Sequence, residues 1–114
     1  MAGYLTTHVL DTAQGRPAAG LAITLYRIDG GLRDEVAQAV TNADGRTDAP
    51  ILPEGRFATG EYELVFAAGA YLAAAGLPTS FLGDVPVRFR MAEASHYHVP
   101  LLLSPFGYST YRGS

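Results

Sequence analysis

The segment over residues 85–92 constrains the fold most strongly. Val85, Val87, Phe89 and Met91 alternate with Pro86, Arg88, Arg90 and Ala92. An apolar period of two suits a strand with one face on a core, which leaves Arg88 and Arg90 on the wet face. The pattern recurs along the chain. Over residues 5–10, Leu5, Thr7 and Val9 stand opposite Thr6, His8 and Leu10, and over 21–26 Leu21, Ile23 and Leu25 alternate with Ala22, Thr24 and Tyr26. Further strands are predicted over 35–41, 61–67, 96–103 and 108–112. Between them stand Gln14-Gly15-Arg16-Pro17, Asp29-Gly30-Gly31, Asn42-Ala43-Asp44-Gly45 and Ser104-Pro105-Phe106-Gly107, all rich in turn formers. Residues 51–56 read as loop. Residues 69–76 break the alternation: Ala70, Leu72, Ala73, Ala74 and Ala75 favour a short helix, and Gly76 suits its end. About seven or eight short strands with one helix predict an all-β fold, an antiparallel β-sandwich.

Composition narrows the function. The 114 residues, 48% hydrophobic and 17% charged, suit one domain over 1–114 with a packed core. A formal net charge of −3, with no basic run, argues against a nucleic-acid partner. Without cysteine there is no disulfide, thiolate metal site or Cys nucleophile. The opening residues lack a secretory pattern, and no apolar run approaches the ~20 residues that a membrane helix needs. The cytoplasm is the expected setting.

The three histidines are His8, His96 and His98. His96 and His98 share a strand face, but tetrahedral zinc needs more ligands, and no carboxylate has matching spacing. A metal site is therefore not expected. His8 and His98 each occupy a position in a strand apolar enough to be central, and imidazole suits proton transfer near neutral pH. Arg46 follows the Asp44-Gly45 turn, and Tyr111-Arg112-Gly113-Ser114 is an unusual tail. Phosphate-binding glycine motifs, a Gly-x-Ser-x-Gly elbow and a paired-carboxylate pattern are all missing from the sequence. On pattern alone, catalysis stands level with a plain binding module.

Three motifs, taken in order, resemble a known family. Leu5-Thr6-Thr7-His8-Val9-Leu10-Asp11-Thr12 with Gly15-Arg16-Pro17-Ala18 resembles the opening signature of the 5-hydroxyisourate hydrolases, a transthyretin-like family. Thr41-Asn42-Ala43-Asp44-Gly45-Arg46 is similar to their central arginine motif, and the stretch from His96-Tyr97-His98 to Tyr111-Arg112-Gly113-Ser114 to their C-terminal signature. The resemblance implies two four-stranded sheets with a short helix after the fifth strand. It implies a homotetramer, a dimer of dimers, with active sites at the dimer–dimer interface. The substrate it implies is 5-hydroxyisourate, hydrolysed without metal or organic cofactor. His8, Arg46, His98 and Ser114 match the catalytic positions. His8, Arg46, Tyr111 and Arg112 match the substrate-binding ones, and His96 is given no catalytic role. On this reading the site residues meet only in the assembled tetramer. Two alternatives stand beside it: a transthyretin-type carrier without catalysis, and a structural interaction module.

Overall fold

A computed structural model describes residues 3–113. Eight strands and one helix follow in order: β1 (Tyr4–Asp11), β2 (Arg16–Pro17), β3 (Ala22–Asp29), β4 (Leu32–Val40), β5 (Gly60–Phe66), α1 (Ala68–Ala74), β6 (Val85–Met91), β7 (His96–Ser104) and β8 (Gly107–Thr110). They form two four-stranded sheets, ordered β2-β1-β7-β8 and β4-β3-β5-β6. The expected sandwich of two four-stranded sheets with one short helix is what the structure contains.

The alternation read from sequence decides which faces meet. Leu5, Val9, Val99, Leu101 and Leu103 of the first sheet pack with Ile23, Leu25, Leu64, Phe66 and Val85 of the second. The hydrophobic effect favours each fully buried Leu, Ile, Val or Phe by about 1.5–3 kcal/mol. Helix α1 adds Tyr71 and Leu72 to this core, and Gly76 at φ 72 takes the left-handed conformation that terminates it. Gly30 and Gly31, at φ 58 and 86, close the β3–β4 hairpin in a turn that requires positive φ at both positions.

A buried carboxylate fixes the end of β1. Asp11 accepts hydrogen bonds from the Gln14 backbone N–H (2.9 Å), Gln14 Nε2 (3.0 Å) and Tyr71 Oη (2.6 Å). Burial, and then the Asp11 hydrogen bond and charge, push the Tyr71 phenol up to about 12. Tyr71 therefore stays a donor to Asp11 at neutral pH, tying α1 to β1.

Three details differ from the sequence reading. Arg16 and Pro17 pair with Asp11 and Leu10 as a two-residue edge strand rather than lying wholly in a turn. The last strand ends at Thr110, so Tyr111 and Arg112 lie beyond it. One pairing within the sandwich is parallel: β1 runs alongside β7 from Tyr4↔His96 to Asp11↔Leu103. This pairing positions the site.

Candidate active site

Paired residues of neighbouring strands point their side chains to the same face of a sheet. The β1–β7 register sets Tyr4 beside His96 and Thr6 beside His98, on the face opposite the buried Leu5, Thr7 and Val9. The Thr6 hydroxyl lies 2.7 Å from His96 Nε2 and 2.8 Å from His98 Nδ1. The His96 ring stacks on Tyr4, with centroids 4.1 Å apart and planes 7° from parallel.

The turn before Arg46 is fastened to β1. The Val9 N–H donates to the Gly45 carbonyl at 2.8 Å, and His8 and Arg46 form an antiparallel bridge. Asn42 organises the turn: its Oδ1 accepts from the backbone N–H of Asp44 (2.9 Å) and of Arg46 (3.2 Å). Gly45 has φ 74, and a Cβ there would collide with the Val9 carbonyl oxygen, so the turn seats only glycine this close to β1. His8 Nε2 donates to the Asp44 carbonyl at 2.9 Å. A carbonyl only accepts, so neutral His8 carries its proton on Nε2 and leaves Nδ1 as the acceptor.

These elements border a cleft of about 420 Å³ lined by Tyr4, Thr6, Arg46, Asp48, His96 and His98, among others. Burial holds the His98 imidazole below its ordinary pKa, with the charges of Arg46, His96 and His8 acting in the same direction. Neutral His98 with Nδ1 on Thr6 leaves Nε2 as the ring nitrogen for chemistry. Gly113 shapes its surroundings: its N–H donates to the His98 carbonyl at 2.7 Å, and a Cβ on it would sit 2.6 Å from His98 Cδ2. Glycine at 113 makes room for the imidazole.

Arg46 and His98 thus line one cleft, and His8 bonds to the turn that carries Arg46, all within one chain. The sequence reading had these residues meeting only on assembly; the parallel β1–β7 register and the bridge between His8 and Arg46 bring them together beforehand. Tyr111 and Arg112 do not join them. Tyr111 is 59% exposed, and the Arg112 guanidinium lies 4.1 Å over the Tyr97 ring. Ser114 lies outside the described residues. Thr6, Tyr4, His96 and Asp48 are among the cleft residues that the sequence reading left out of the site. Thr6 shares a strand face with His8, and that alternation was the available signal. Among the described residues, no group of 3 or more His, Cys, Asp or Glu side chains is arranged to hold a metal ion.

Known proteins share this fold and much of this sequence. The profile of the HIUase/Transthyretin family matches residues 5–113. A 5-hydroxyisourate hydrolase of Mesorhizobium japonicum is 65% identical, over 98% of this chain and 93% of the relative. The structure of Klebsiella pneumoniae 5-hydroxyisourate hydrolase is 38% identical and superposes with a TM-score of 0.84, over 98% of this chain and 94% of that one. An (S)-allantoin synthase structure is 45% identical with a TM-score of 0.91, and this chain covers 44% of its length. The family match and the full-length relatives lead to one conclusion: the chain belongs to the HIUase/Transthyretin family.

Proposed function

We propose that this protein is a 5-hydroxyisourate hydrolase, which opens the six-membered ring of 5-hydroxyisourate to give 2-oxo-4-hydroxy-4-carboxy-5-ureidoimidazoline in urate degradation. The observation that carries the reading is the cleft in which Arg46 meets the neutral, Thr6-bonded His98. Full-length relatives bearing that name support it.

Ring opening needs an activated water and a stabilised oxyanion. His98 Nε2 takes the water proton, because burial first, and then the nearby Arg46 charge, favour the unprotonated imidazole. Arg46 offsets the negative charge on the tetrahedral intermediate with a planar fork of donors that stays charged. His8 orients the Arg46 turn through Asp44 and presents Nδ1 as a second acceptor. Tyr111, Arg112 and Ser114 enter this proposal from the family signature, the first two as substrate-binding groups and Ser114 as a catalytic residue. A cleft bordered by Arg46, Asp48 and imidazoles suits a polar heterocycle better than an apolar hormone.

The proposal includes a single domain over 1–114, a cytoplasmic setting and a homotetramer built as a dimer of dimers, with sites between the dimers. Strands β6 and β8 are sheet edges, and Phe106, Tyr108 and Tyr111 are exposed on or beside β8. Unpaired edges with exposed aromatics favour association. Light scattering at the mass of four chains is the expected result; a monomer would contradict the assembly. The activity is tested by following ultraviolet absorbance of freshly generated 5-hydroxyisourate. The protein is expected to accelerate its decay severalfold or more over buffer, and an unchanged decay would overturn the assignment.

A further inference from the structure

The Thr6 hydroxyl has one proton and two histidine nitrogens at hydrogen-bond distance, His96 Nε2 at 2.7 Å and His98 Nδ1 at 2.8 Å. It donates to one of them and must accept from the other. Two proton arrangements satisfy all three groups. In the first, His98 Nδ1–H donates to Thr6, Thr6 donates to His96 Nε2, and His98 Nε2 is a bare acceptor. In the second, every proton has moved one place, and His98 carries its proton on Nε2 as a donor.

We propose that Thr6 and His96 form a hydroxyl-bridged proton relay that converts His98 from the base of the first chemical step into the acid of the second. The proposal rests on the hydrolase reading and deepens it. Both residues act through His98 and are positioning residues.

The steps balance. His98 Nε2 takes a proton from water as the water oxygen bonds to the carbonyl carbon. The Nδ1 proton passes to Thr6 Oγ1, and the Thr6 proton passes to His96 Nε2. His98 is again neutral, now protonated on Nε2, the positive charge rests on His96, and the oxyanion faces Arg46. When the intermediate collapses and the C–N bond breaks, the leaving nitrogen takes the Nε2 proton. The chain then runs in reverse, and His96 returns to neutral. One water is consumed and no proton is left over.

Two observations favour moving the charge. A proton retained on His98 would make an imidazolium in a half-buried position, and burial first, then Arg46, His96 and His8, hold its pKa down. His96 is stacked face to face on Tyr4 at 4.1 Å, and an aromatic face stabilises a cation over it. The relay therefore delivers the charge to the ring that already has a supporting partner.

The test uses the full-length protein and initial rates of 5-hydroxyisourate decay. Thr6→Val keeps the shape and deletes the hydroxyl. His96→Phe keeps a ring against Tyr4 and deletes the nitrogen. Each is expected to lower kcat about 10- to 100-fold, in the range of acid–base effects, with KM changed less than about twofold. Thr6→Ser should restore kcat to within about threefold of wild type. The double variant should fall no further than the worse single one, since both break one relay. Long-range proton–nitrogen NMR should find resting His98 protonated on Nδ1.

Wild-type kcat in Thr6→Val or His96→Phe, failure of Thr6→Ser to rescue, or resting His98 protonated on Nε2 would each overturn the relay while leaving the hydrolase reading intact. Absence of wild-type activity would overturn both.

Discussion

Each sheet carries a polar cluster on its outer face, and the two clusters are built on opposite plans. On the β4-β3-β5-β6 sheet, Glu63 lies between Arg33 at 2.8 Å and Arg88 at 3.2 Å, and the Arg33 guanidinium also sits 4.1 Å over the Tyr26 ring. The hydrogen bond from Arg33 holds the Glu63 carboxyl below its usual pKa against the opposing effect of burial, and Arg88 adds to the shift. Arg33 and Arg88 share the one carboxylate, one on each oxygen. On the β2-β1-β7-β8 sheet, three side chains share the single Thr6 hydroxyl proton, while the nearby carboxylate of Asp48 accepts from Asn42 at 3.0 Å. Among the described residues, the ion pairs are those of Glu63, and Arg46 is in neither. A closed cluster has spent its hydrogen-bonding capacity on the fold. An open one, bordering a cleft, keeps that capacity for a ligand.

The contrast predicts activity effects on one sheet and stability effects on the other. The largest concern His98 and Arg46. His98→Ala and Arg46→Ala should each slow turnover of 5-hydroxyisourate by about 100-fold or more, while thermal melting changes by only a few degrees. A large fall in melting temperature with little loss of turnover would place both among the structural residues and break the comparison. Next comes Gly113→Ala. Its Cβ would press on His98 Cδ2 from 2.6 Å and displace the imidazole. Misplaced catalytic groups commonly lose about 10- to 100-fold, so kcat should fall in that range, and unaltered kcat would show that the terminus does not set the ring's position.

Titration of His98, followed by its ring protons in NMR, sharpens the electrostatic side. Its midpoint should lie below the ordinary 6.5, so the base form persists to lower pH than in a free histidine. Arg46→Ala should raise the midpoint only part of the way, because burial is the larger cause. A wild-type midpoint at or above 6.5 would contradict the site's electrostatics.

The smallest effect belongs to the closed cluster. The side chains of Arg33 and Arg88 are 47% and 50% exposed, so solvent screens the two ion pairs, and Glu63→Gln should cost about 1 kcal/mol in chemical denaturation. The sign with pH follows from the lowered carboxyl: its stabilisation is present above the unfolded carboxylate pKa and is lost as pH falls through the folded one. Glu63→Gln should remove that acid-side dependence.

The strands were legible because a half-buried sheet imprints its period on the chain. Val85, Val87 and Met91 are buried, and Arg88 and Arg90 exposed, as their alternation requires. His8, Arg46 and His98 were singled out through residue chemistry and family motifs, not through any visible contact. The parallel register of β1 and β7 could not be read, because alternation specifies which face a residue takes but not its neighbour across the ladder. Thr6 was therefore noted only as sharing a face with His8, and His96 was set aside. The placing of Tyr111 and Arg112 was also hidden: the last strand ends at Thr110, before both of them, and Arg112 turns onto Tyr97.

The central claim, that the open cluster serves chemistry and the closed one serves the fold, is tested most directly by ultraviolet decay of 5-hydroxyisourate with wild-type protein, His98→Ala and Glu63→Gln measured side by side. The account predicts rapid decay with wild type and Glu63→Gln, and decay near the buffer rate with His98→Ala. Rapid decay with His98→Ala, or loss of activity in folded Glu63→Gln, would contradict it.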